Sequence, residues 1–206
     1  MKRSLINWLG LLGVLSLISY TVAVVFSPMA YPGYNSLAQA VSDLSAENAP
    51  SRTMWNQLSA LYDNCGIVSI TMVCVYVKEK LNRKIRIGIY LFAIMNWISA
   101  VGYRMFPLTA SGNPEGFQNI MHLVVTALVV LFSVISLFII VIGGWGDKKY
   151  GSLAVWAGVA LFLMIMGAIG TNAMPTNLFG IPERFSVFAA TGFNAVLGIY
   201  LLKGFD

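Results

Sequence analysis

The chain has 206 residues, 58% of them hydrophobic and only 10% charged, with a mean hydropathy of +0.76. Soluble domains carry about a quarter charged residues, so this composition excludes a water-soluble domain. The formal charge of +5 reports orientation in such a chain and implies no nucleic-acid partner, because basic residues collect in the cytoplasmic loops of membrane proteins.

Crossing a hydrocarbon core takes roughly 20 apolar residues, and the chain offers six such stretches, predicting an all-α, multi-pass bundle in one domain over residues 1–206. The first, residues 6–26, follows Lys2 and Arg3 but is too long for a secretory signal and lacks a small-residue cleavage site before Ser27. Residues 27–53 form an outer loop in which Ser36 and Gln39 have capping-box spacing and Leu37, Val41 and Leu44 share a face. This predicts a short amphipathic helix stopped by Pro50, a surface anchor or a lid, with Ser51 capping the second span. The remaining spans are 55–77, 87–106, 117–142, 151–173 and 185–202. Cys65 and Cys74 fall nine residues apart on opposite faces of one span, about 13 Å along its axis, and cannot bridge.

With both termini in the cytoplasm, ten of the thirteen basic residues lie inside: Lys2, Arg3, Lys78, Lys80, Arg83, Lys84, Arg86, Lys148, Lys149 and Lys203. Only Arg52, Arg104 and Arg184 remain in the outer half, which predicts a cytoplasmic membrane protein with its tight turns inward. Residues 99–107 align with 167–175 at an offset of 68, and the pattern P-x4-G-x-P-E-x-F recurs through Pro107, Gly112, Pro114, Glu115 and Phe117 and through Pro175, Gly180, Pro182, Glu183 and Phe185. The repeat predicts a duplicated helical hairpin, residues 87–142 and 151–203, in which Arg104 corresponds to Asn172 and His122 to Ala190.

Ionisable groups inside spans are costly and point to function. Asp63, Arg104 and His122 come out at similar depth in the outer half, so they are expected to share one polar pocket. Gln118, His122 and Thr126 recur every four residues with Ser133 beyond them, and Asn172 and Asn194 extend the set to further spans. Asp43, Arg52, Glu115, Glu183 and Arg184 supply the outer-loop charges around it. Such groups can also form an internal hydrogen-bond network that only fixes helix packing.

One histidine and two separated cysteines make a zinc site improbable on donor count, and neither a Walker loop nor a dinucleotide fingerprint is present, so no metal or cofactor is expected. The residues point first to a non-enzymatic protein that binds or passes a small polar molecule or lipid headgroup from the outer leaflet. A membrane-embedded hydrolase or transferase acting on lipid-like substrates is the alternative, with His122 as base and Asp63 orienting it, although no nucleophile motif marks a partner. A structural partner subunit is the third reading, and the small-residue pairs Gly10 and Gly13, Ala154 and Gly158, and Gly167 and Gly170 would support a homo-oligomer as well as intrachain packing.

The run Gly-Tyr-Asn-Ser-Leu-Ala-Gln-Ala-Val-Ser-Asp-Leu at 33–44, Ala-Pro at 49–50, Phe106-Pro107, His122, and Gly180 with Glu183-Arg184 together resemble the domain-of-unknown-function 998 family of six-span membrane proteins. The resemblance covers nearly the full length. It implies a bacterial or archaeal cytoplasmic membrane, supplies no established activity, and groups Asn35, Ser42, Asp43, His122, Glu183 and Arg184 into one outward-facing feature. Where the family often carries an aspartate after Phe-Pro, this chain has Leu108 and Thr109.

Overall fold

Long apolar runs need internally satisfied backbone in a membrane, and the chain meets this with helices throughout. The computed structural model describes residues 3–111 and 115–205. Its helices are α1 (Leu5–Leu9), α2 (Leu11–Phe26), α3 (Arg52–Leu58), α4 (Tyr62–Val77), α5 (Arg83–Met105), α6 (Phe117–Gly144), α7 (Gly151–Ala173) and α8 (Gly180–Lys203). Three short 3-10 turns join them at Ser27–Ala30, Ser42–Ser45 and Thr176–Leu178, and no strand occurs among the described residues. Six segments are long and apolar enough to cross a membrane: Leu5–Ala30, Arg52–Val77, Arg83–Met105, Phe117–Gly144, Gly151–Ala173 and Gly180–Lys203. Lys2, Gly112 and Pro114, which entered the charge and repeat readings, lie outside the described residues.

The most extensive pairings are α5 with α6, α7 with α8 and α6 with α7, while α2 packs against both α4 and α8. The main core is built from Ile70, Val73, Ile85, Ile89, Leu137 and Leu197, with Phe92 edge-on to Phe193 at 5.1 Å and Phe205 against Tyr76 and Tyr200. A second, smaller cluster is aromatic: Tyr20 meets Trp55, Tyr62 and Phe188 at ring separations of 4.6 to 5.8 Å. Asn82 caps α5 by accepting from Ile85 N–H at 2.9 Å, and its amide donates to the Gly143 carbonyl at 2.8 Å, tying the α4–α5 turn to the end of α6.

Two predicted elements differ from what forms. The second span is interrupted between α3 and α4, and the carbonyls at the break are met by α2: Ser19 Oγ donates to Leu58 O and Ser16 Oγ to Tyr62 O, each at 2.6 Å. The outer loop holds no continuous amphipathic α-helix. Asn35 rather than Ser36 begins its turn, accepting from Leu37 N–H at 3.0 Å, while Gln39 Oε1 accepts from Asn35 N–H at 2.8 Å. The amides that would continue a helix go to carboxylates instead, Ala40 to Asp43 Oδ2 at 3.1 Å and Val41 to Glu183 Oε2 at 3.2 Å. Ser51 stands at the N-cap position of α3 as expected, but its side chain makes no cap bond; its hydroxyl donates to Leu44 O at 2.8 Å. The repeat pairs Phe117 with Phe185, yet α6 starts at Phe117 while α8 starts earlier, at Gly180, so the two hairpins are out of step at their outer ends.

Candidate functional site

The outer loop crosses the bundle as a strap, sewn to α8 on one side and to the α5–α6 connection on the other. Arg184 makes the first seam: Nη1 donates to Gln39 O at 3.0 Å and Gly180 O at 2.8 Å, and Nη2 donates to Tyr34 Oη at 2.8 Å. Tyr34 passes its own proton to Ala40 O at 2.8 Å, and Gly180 N–H donates to Leu37 O at 2.8 Å. Position 180 must be glycine for this approach, since a Cβ there would meet the Gln39 carbonyl at 2.6 Å. In the second seam Glu47 N–H donates to Leu108 O at 2.8 Å, and Gln118 Nε2 bridges Glu47 Oε1 at 3.0 Å and Pro107 O at 2.9 Å. Asn119 fixes the same connection, accepting from Thr109 N–H at 2.9 Å and donating to Glu115 O at 2.8 Å.

Asp43 sits buried beneath the strap, held by Ala40 N–H and the Ser111 hydroxyl, with Arg184 and His122 within electrostatic reach. Burial pushes its carboxyl above the usual carboxylate range, and those partners only partly offset the shift. Burial likewise pushes the Tyr34 hydroxyl up to about 12, against the opposing pull of Arg184. His122 is buried on α6, where its Nδ1 lies 2.9 Å from the Phe106 carbonyl. A carbonyl only accepts, so Nδ1 carries the proton and Nε2 is the basic nitrogen of the neutral ring. Tyr103 packs on the imidazole at 4.9 Å and donates to Thr126 Oγ1 at 3.1 Å, and Thr126 in turn donates to the His122 carbonyl at 2.9 Å.

Asp63 and Arg104 stand elsewhere. Arg104 Nε donates to Asp63 Oδ2 at 3.2 Å, with the side chains 61% and 24% exposed. They line a groove of about 290 Å³ with Asn64, Ile67, Ala100, Val101 and Met105, between the start of α4 and the end of α5. Of the six residues expected to share a pocket, this groove is lined by these two. His122 and Gln118 belong to the strap and its α5–α6 seam. Asn172 is exposed at the end of α7 and bonds back to Ala168 O at 3.0 Å. Asn194 is buried where α8 meets α4, donating to Gly66 O at 3.3 Å. Among the outer-loop charges, Arg52 is exposed and donates to Glu47 O at 3.3 Å, Glu115 is exposed at the foot of α6, and Glu183 and Arg184 form the α8 seam. Among the described residues no group of three or more His, Cys, Asp or Glu side chains is placed to hold a metal ion.

Two contributors went unread in the sequence. Tyr34 stands inside the 33–44 run that carries the resemblance, and its place beside Asn35 is the signal that marks it. Ser111, which supplies Asp43 with a hydroxyl, has no comparable signal.

A family profile described as Protein of unknown function (DUF998) matches residues 14–200. The chain belongs to this family. No curated protein and no solved structure matches the chain. The matched range takes in the strap, both of its seams and the Asp63–Arg104 groove of this DUF998 member, and excludes α1.

Proposed function

We propose that this chain is a cytoplasmic-membrane protein, both termini inside, that holds a small polar molecule or lipid headgroup at the outer end of the α4–α5 groove. The observation that carries the reading is the open Asp63–Arg104 pair. An ion pair serving only to pack helices would be buried and fully bonded, because exposed pairs contribute about 0 to 1 kcal/mol. This pair has an arginine that is 61% exposed and touches its partner through one nitrogen. Keeping both charges within apolar spans for so little stability is understood if a ligand uses them. The hydrolase reading draws on the free Nε2 of His122, but that ring is buried and Thr126, the hydroxyl beside it, donates to backbone.

The test is native mass spectrometry with lipid extraction on the wild-type protein, Asp63→Asn and Arg104→Gln. A co-purifying molecule lost from both variants while their thermal unfolding is unchanged supports the reading. No bound molecule, with both variants unfolding at lower temperature, identifies the pair as a packing contact and removes it.

A further inference from the structure

Resting on that reading and narrowing it, we infer that the groove's ligand is an outer-leaflet phospholipid whose headgroup carries both a phosphate and a primary ammonium. Asp63 engages Arg104 only through Nε, and neither terminal guanidinium nitrogen has a partner among the described residues. A guanidinium held by Nε presents its other N–H groups as a planar fork, the arrangement that binds phosphate oxygens bidentately. Asp63 is bonded through Oδ2 alone, so Oδ1 remains as an acceptor for an N–H cation. The pair is neutral in sum. A zwitterion therefore matches it group for group, whereas a lone anion would also face the Asp63 carboxylate.

The shape fits an amphiphile. Arg104 is the penultimate residue of α5, and Asp63 is the second residue of α4, just past the α3–α4 break. From Arg104 back along α5 the exposed Val101, Trp97 and Ile94 follow at helical spacing on one face, an apolar track on which an acyl chain can lie. A groove of about 290 Å³ takes a headgroup but not a whole phospholipid, so the chains must run outside it. Choline has no N–H to give Oδ1, and a glycerol headgroup has no cation, so the site discriminates by headgroup and not by chain.

The full-length protein in detergent is titrated with phosphatidylethanolamine, phosphatidylcholine, phosphatidylglycerol and inorganic phosphate, each alone, and occupancy is read by native mass spectrometry. The expected result is a preference of about tenfold for phosphatidylethanolamine, the scale of one charge-assisted hydrogen bond. Asp63→Asn should bring that lipid down to the phosphatidylcholine level, and Arg104→Gln should weaken every phospholipid. Arg104→Lys keeps the charge without the fork and should weaken binding too, which guards against misfolding of the glutamine variant. Equal retention of all three lipids, lost in Arg104→Gln, overturns the zwitterion while leaving headgroup binding intact. Saturable phosphate binding with no lipid preference shows that a free anion is the ligand and overturns it as well. Lipid binding unaffected by any of the variants overturns both readings.

Discussion

Arg184 alone joins the strap to α8 through three acceptors, Gln39 O, Gly180 O and Tyr34 Oη. Arg184→Gln cannot span them, and a hydrogen bond to a charged group contributes about 1.5–3 kcal/mol. Amide exchange at Val41 and Gly180 should accelerate by about tenfold or more, measured by hydrogen–deuterium exchange, while α6 and α7 exchange as before. Asp43 yields a pH prediction. Burial raises its pKa, so the folded state holds the proton more tightly than the unfolded chain, whose carboxyl titrates near 4. Stability then falls as pH rises from about 4 through the raised value, the opposite of the usual salt-bridged aspartate. Arg184, His122 and Glu183 face this carboxyl, and Arg184 and His122 only partly offset its burial. Asp43→Asn, which can still accept from Ala40 N–H, should unfold at a higher temperature than wild type at pH 8 and lose that advantage at pH 4; an advantage independent of pH would refute the assignment.

Among the helices, close backbone approach decides what can be substituted. Gly198 faces the Gly10 carbonyl across the α8–α2 crossing, so a Cβ there must push backbone apart, whereas a Cβ at Gly192 meets nothing within 4 Å. Gly198→Ala should cost about 1–3 kcal/mol by overpacking, and Gly192→Ala should be neutral or slightly stabilising, as thermal unfolding in detergent would register. The spans themselves were legible because hydropathy is a local property, and residue-by-residue apolarity suffices to count them. The α3–α4 break was not, because it depends on Ser16 and Ser19, two hydroxyls on another helix that satisfy the freed carbonyls. The same reason defeated the amphipathic helix in the loop: Val41 N–H is taken by Glu183, 142 residues away, and no spacing within the loop announces that.

For the molecule as a whole, the charge distribution of the turns carries the proposed orientation. Lys78, Lys80, Arg83, Lys84 and Arg86 flank one inner turn and Lys148 and Lys149 the other, so Lys80→Cys and Lys148→Cys should react with a membrane-impermeant maleimide only after the inner side is opened, and Asn177→Cys from outside intact cells. The reverse labelling would invert the protein and move the proposed groove to the inner leaflet. Counting about 1.5 Å per residue gives a residue's expected depth, and the contact of Asp63 with Arg104 agrees with the count for those two. Depth is one coordinate of three, however. Which side of its helix each residue uses, and so the separation of the Asp63–Arg104 groove from His122 beneath the strap, follows from packing between helices that no single span encodes. The strap has a consequence in time. Its seam on α8 joins Val41 and Gln39 to residues made 142 and 145 positions later. At roughly 5–20 residues per second, synthesis leaves that loop without its partners for on the order of ten seconds after it reaches the outer side. The protein therefore closes its outer face last, when its sixth span is threaded, and a chain stopped after residue 173 should keep residues 34–47 open to an externally added protease.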